Sequence, residues 1–344
     1  MKTLVLCAVT VMALGIAGGA ASEAPSGGPG AISGAGASFP APLYSAWADK
    51  YHAAGGDAVT YQSVGSGAGI QQIEASAVDF GATDKPLTAE DLASQGLLQF
   101  PTVLGGVVPV INAPGIGAGQ LRLDGPLLAE VFAGHVKMWN DPRIKALNPA
   151  LALPDLPITV AYRSDKSGTT FLFTTYLSAV SAAWKAGPGS GDAVAWPAGL
   201  GGKGNAGVAE IMGNTLGTIG YVEYAYARQN NLDYVVLKNS DGSFVAADAA
   251  GFTGAAAKAD WSRAKGFYLL LIDQPGAASW PITGATFILV RKDAPAARRQ
   301  AVLRFFDWAY AKGDANAVAL GYVPLPVAVK TLIRTSWGPD APRP

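Results

Sequence analysis

Apolar positions along this chain alternate between two spacings. Short runs rich in β-branched and aromatic residues predict strands at 58–61, 102–111, 158–162, 219–222, 234–237 and 286–290. Between them, apolar residues recur at helical intervals. Tyr44, Trp47, Ala48 and Tyr51 fall at i, i+3, i+4 and i+7, one buried helical stripe. Ile70, Ile73 and Ala77 follow Ser66 in the same way, and the apolar residues from Phe171 to Leu177 follow Ser167. Residues 301–311 carry the strongest helical pattern near the C-terminus. Alternation of this kind predicts an α/β fold. Two changes of texture, the Pro/Gly-rich 109–119 and the stretch 277–284 before a strand, predict two crossings between domains.

With 344 residues the chain can form two domains with substantial cores. Only residues 1–21 form a continuous apolar stretch at the N-terminus: Lys2 gives the positive flank, Leu4 to Ile16 the apolar run, and 18–21 a small-residue cleavage region. This predicts a secretory signal peptide rather than an uncleaved membrane anchor, because the apolar run is short. The sole cysteine, Cys7, lies inside it, so the exported protein would carry neither disulfide nor thiol chemistry. Residues 22–33, rich in Gly, Pro, Ser and Ala, predict a flexible leader. A formal net charge of +0 lacks the basic footprint of a nucleic-acid binder, but it leaves local anion binding open.

Three segments place small hydroxyl and glycine residues just before a helical pattern: 34–39, 65–69 and 167–170. A helix start presents free N–H groups and the positive end of the macrodipole, which suits an anion. Taken singly, each has a plainer reading. Ser38 before Pro40 reads as a helix cap, and Ser66 between Gly65 and Gly67 reads as part of a turn. Arg163 offers a planar fork of donors suited to a tetrahedral oxyanion, with Asp165 placed to orient it; alternatively the two form a surface pair. Ser167 and Thr169 add hydroxyls, and Gly168 adds an unobstructed N–H.

Asp84 reads either as the cap of a helix over 86–95 or as part of the site. A carboxylate beside an anion is repulsive unless the anion still carries a proton, as phosphate does and fully ionised sulfate does not.

Several other motifs fail. Residues 199–204 fit the letters of a dinucleotide fingerprint but follow Trp196-Pro197 rather than a clear strand, and Lys203 is followed by Gly204, not the hydroxyl residue of a P-loop. His52 and His135 are isolated, which leaves no histidine for a serine nucleophile and no transition-metal cluster.

Segments 34–42, 65–67, 78–84 and 163–169 together resemble the periplasmic phosphate-binding proteins of bacterial ABC-type phosphate importers. The likeness continues through 100–108, 201–205, 220–227 and 305–309. It implies a type II two-domain clamp of mixed sheets flanked by helices, joined by two crossover strands. Residues 34–106 with 285–344 would form one domain and 107–284 the other. It further implies that Ser38, Phe39 (through its main-chain N–H), Ser66, Asp84, Arg163, Ser167, Gly168 and Thr169 contact phosphate, with Asp165 orienting Arg163.

The same resemblance implies a monomeric periplasmic carrier without cofactor, metal or catalysis, served by a membrane permease and an ATPase. Ser38 stands where relatives often have threonine, and Thr83 replaces a common serine; both keep the hydroxyl. Residues 265–272 are more apolar than the family pattern. The competing expectations are a secreted phosphatase or a binder of another tetrahedral oxyanion.

Overall fold

A computed structural model describes residues 31–342. The expected signal peptide lies outside the described residues, as does most of the expected leader. Ile32 and Ser33, counted with that leader, already belong to the first strand.

The chain opens with β1 (Ile32–Gly36), α1 (Ala41–Ala53), β2 (Val59–Ser63), α2 (Ser66–Glu74), β3 (Phe80–Thr83), α3 (Ala89–Ser94) and the long β4 (Leu97–Asn112). The middle contributes β5 (Arg122–Leu123), α4 (Gly125–Phe132), α5 (Pro142–Leu147), β6 (Thr159–Arg163), α6 (Gly168–Val180) and α7 (Ala182–Ala186), then β7 (Leu200–Gly202), α8 (Gly204–Asn214), β8 (Thr218–Glu223) and α9 (Tyr224–Gln229). Short strands β9 (Asp233–Tyr234), β10 (Val236–Lys238) and β11 (Phe244–Val245) lead to α10 (Ala249–Ala256) and β12 (Leu271–Ile272). The return strand β13 (Ile282–Arg291) precedes α11 (Ala296–Lys312), α12 (Asp314–Leu320), β14 (Val323–Pro324) and α13 (Val327–Ser336).

The sheet runs β2-β1-β3-β13-β4-β8-β6-β7. Its strand β3 is buried on both faces, as parallel strands covered by helices are. Strand β4 changes partners part-way along: Leu97 to Gly106 pair antiparallel with β13, whereas Val107 to Asn112 pair with β8. On one side of that exchange β1, β2 and β3 run parallel; on the other, β6 runs parallel with β7 and β8.

The helices pack as their stripes require. Leu43, Tyr44, Trp47 and Tyr51 of α1 are buried, and Tyr44 stacks on Trp47 while meeting Phe306 of α11 edge-on. Behind α6, Phe173 stacks flat on Tyr221 of β8 at 4.3 Å between ring centres. The apolar 265–272 segment returns to the first part of the sheet: β12 pairs with β13, and the Gln99 amide donates to Gly266 O at 2.7 Å. Gly36 sits at φ +148°, where an added Cβ would lie 2.1 Å from Ala82 O. Only glycine lets β1 and β3 approach this closely.

Candidate functional site

Five loops converge, each leaving the C-terminal end of a parallel strand. Ser38 follows β1, Ser66 follows β2 and opens α2, and Asp84 follows β3. Arg163 ends β6 and leads to Ser167 at the cap of α6; residues 203–205 follow β7 and open α8. Carboxyl ends of strands are where open α/β sheets receive ligands, and the helix starts here add their donors. The side chains are deeply buried: Ser38, Ser66, Asp84, Arg163, Ser167 and Thr169 are each at most 4% exposed.

Arg163 is held from two sides. Nε and Nη2 donate to the two carboxylate oxygens of Asp165, and Nη1 donates to Thr169 Oγ1 at 3.3 Å. A guanidinium carries five N–H groups, so one N–H on each terminal nitrogen is left over. Tyr221 Oη, itself bonded to Thr170 Oγ1 at 2.7 Å, accepts the Arg163 backbone N–H at 3.2 Å. Burial alone would raise the Asp165 carboxyl, but the Arg163 hydrogen bonds and charge, with the Gly204 N–H, hold it below its ordinary value.

Asp84 is the opposite case. Its Oδ1 is buried with no hydrogen-bond partner. Burial pushes its pKa up to about 7, although Thr286 and the Arg163 charge favour the ionised form. An unmatched acceptor in a cluster of donors is costly unless something donates to it.

The turn at residues 38–39 is fixed by its carbonyls. Tyr226 Oη donates to Ser38 O at 2.8 Å, and Tyr322 Oη donates to Phe39 O at 2.7 Å. In a trans peptide the N–H points away from the C=O, so Phe39 N–H is directed opposite to Tyr226. The two sides also meet directly. Gly168 N donates to Ser66 Oγ at 3.0 Å, Gly67 N donates to Lys166 O at 3.0 Å, and Lys85 Nζ lies 3.4 Å from Asp192 Oδ2.

Residues 21–312 match the PBP superfamily domain. The phosphate-binding protein PstS of Xylella fastidiosa strain 9a5c is 51% identical over 310 residues, covering 90% of this chain and 85% of that protein. Its namesake from Pasteurella multocida is 52% identical over 307 residues, covering 89% of each. The chain belongs to the PstS phosphate-binding protein family. Solved structures agree in fold. A DING protein aligns with TM-score 0.71 at 22% identity, over 88% of this chain and 93% of that one. A phosphate-binding protein from Stenotrophomonas maltophilia gives 0.65 at 21%, over 89% and 93%.

In this PstS-family chain every residue expected to contact phosphate lies in the one cluster, but three plain readings fall, the first being the surface pair, since the Arg163 side chain is buried against Asp165. Ser38 caps nothing: α1 begins after Pro40 without a side-chain cap, and Ser38 Oγ accepts from Asn205 instead. Asp84 is not a cap either, since α3 starts at Ala89 behind a Thr88–Asp91 capping box. Ser167 does cap α6, accepting from Thr170 N at 3.1 Å. Gly168 N–H is engaged by Ser66 Oγ.

The segment rejected as a dinucleotide fingerprint forms β7 and the start of α8, and it is followed by Asn205, a residue inside the 201–205 likeness to which the sequence assigned no role. Asn205 is 0% exposed and touches Ser38, Thr169 and Glu223. Its one signal was a polar amide at the start of a helix that follows a glycine-rich loop. Among the described residues no helix is long and apolar enough to cross a membrane.

Proposed function

We propose that this chain binds inorganic phosphate in the cleft built above and surrenders it, unaltered, to an ABC-type permease and ATPase. The observation that carries the reading is the buried, unpartnered Asp84 Oδ1 set among N–H and O–H donors. Phosphate near neutral pH supplies acceptor oxygens for those donors and one O–H for Asp84. Ser38, Ser66, Ser167 and Thr169 offer hydroxyls, Phe39 its N–H and Arg163 its two remaining N–H groups. Gly168 acts by holding Ser66 as well as through its place at the α6 start, and Asp165 keeps Arg163 in plane. The names of relatives from Xylella fastidiosa and Pasteurella multocida support the same ligand.

Closure of two lobes fits the partner exchange along β4. Residues 34–106 with 285–344 form one lobe and 107–284 the other, with β4 and the approach to β13 as the crossovers. The direct bonds from Gly67 and Gly168 across the cleft are those of a closed clamp. The protein works in the periplasm as a monomer after removal of residues 1–21. A phosphatase reading is disfavoured because both histidines are exposed and engaged elsewhere, His52 with Gly56 O and His135 with Glu130.

Calorimetric titration of the exported form at neutral pH is expected to show saturable heat with phosphate and none with sulfate at the same concentrations. Equal binding of both anions would overturn the assignment of Asp84. No binding of either would overturn the site.

A further inference from the structure

Three hydroxyls of the cleft each accept two N–H bonds. Ser66 Oγ accepts from Gly168 N (3.0 Å) and Asp84 N (3.3 Å). Thr169 Oγ1 accepts from Arg163 Nη1 (3.3 Å) and Asn205 Nδ2 (3.4 Å). Ser38 Oγ accepts from Asn205 N (3.1 Å) and Asn205 Nδ2 (2.9 Å). A hydroxyl has two lone pairs and one proton. With both lone pairs taken, it has only its proton left to offer.

Asn205 supplies both bonds to Ser38 and one of the two to Thr169. Its amide cannot be turned around, because Oδ1 accepts the Glu223 backbone N–H at 3.0 Å, which leaves Nδ2 for the hydroxyls. Glu223 ends β8 opposite Val107, where β4 changes partners, and its carboxylate caps α9 through Ala225 N at 2.8 Å. Asn205 therefore joins a hydroxyl that follows β1, a hydroxyl of α6 and the crossover itself.

We propose that Asn205 is a positioning residue that fixes Ser38 and Thr169 as obligate donors, so that these two hydroxyls can only donate to a ligand whose proton is taken by Asp84. This rests on the phosphate reading above and deepens it. The donor character of the hydroxyls is imposed by Asn205, so a ligand with a second O–H finds no acceptor in either of them. Without the Asn205 side chain, Ser38 Oγ keeps the backbone N–H of residue 205 but loses Nδ2, so one lone pair is released to compete for ligand protons and the selectivity for acceptor-rich anions relaxes.

The test is a double-mutant cycle read by phosphate titration. Asn205→Ala is expected to weaken phosphate binding about tenfold in the wild-type background. In a Ser38→Ala background the same substitution is expected to weaken it no more than about threefold, because its principal target is gone. Equal losses in both backgrounds, or no loss in the first, overturn the proposal. If Asn205→Ala melts early by circular dichroism, Asn205→Ser replaces it. That shorter, uncharged residue withdraws the Nδ2 bond without adding charge to the cleft, and its loss must likewise shrink at least threefold without Ser38. Failure of the unmodified protein to take up phosphate is a separate result and would strike the parent reading.

Discussion

Replacing Arg163 with alanine is expected to weaken phosphate binding about a thousandfold or more. Three losses coincide. The anion loses the two N–H groups left over on Arg163 after Asp165 and Thr169 are served. Asp165, with its side chain only 12% exposed, keeps its negative charge beside the cleft without the cation that held it down. Thr169 Oγ1 loses one of the two donors that commit its proton to the ligand. Such a buried, hydrogen-bonded pair costs far more to break than a surface pair of the same length. Arg163→Lys is expected to fall between, keeping charge but not the fork that meets Asp165 and the ligand together. Titration calorimetry checks both. An alanine variant within tenfold of the unmodified protein would mean the anion lies elsewhere.

The second large effect comes from one methyl group. A Cβ added at Gly168 would sit 2.6 Å from Asp84 Cβ, 2.6 Å from Ser66 Oγ and 2.7 Å from Asp84 N. These atoms follow β3 and open α2, and under the proposed two-lobe closure the clash exists only when the two lobes are together. Gly168→Ala is expected to weaken phosphate binding roughly a hundredfold by holding the clamp ajar. The melting temperature of the ligand-free protein is expected to stay within about 3 °C, because an open clamp has no clash to relieve. Unchanged affinity would contradict the closed geometry. A collapse in melting temperature would mean that the two sides form one rigid body.

Much of this was legible in the sequence because three loops share a composition with a physical purpose: small residues before a helix clear the way to backbone donors. Their convergence was not legible: β4 pairs antiparallel with β13 on one side and with β8 on the other, so the two parallel sets run in opposite directions and point their carboxyl ends at each other. Other features were hidden for identifiable reasons. The strand expected at 102–111 runs from Leu97 to Asn112, because Pro101, just before the expected start, is tolerated inside it. The exchange of β4 from β13 to β8 leaves no mark on a strand whose residues are buried almost throughout.

The role of Asp84 was open because a carboxylate two residues ahead of the helix expected at 86–95 caps as readily as it binds. Thr88 settled that by taking the capping place with Asp91. Asn205, inside the 201–205 likeness, had no role assigned because one amide beside glycines has no signature; its meaning comes from Ser38, which is 167 residues away in the chain. The strand β7 before it is three residues long, too short to announce itself after Trp196-Pro197.

Exchanging Asp84 for asparagine alters the acceptor of the guest's proton and nothing else of size, so titration of that variant with phosphate and then sulfate is the most direct measurement. Asparagine keeps an oxygen for the phosphate O–H and can instead turn an N–H toward a bare oxygen. The expected result is phosphate binding weakened about tenfold or less, together with sulfate binding that the unmodified protein lacks. A variant that binds phosphate undiminished and still refuses sulfate would contradict the account.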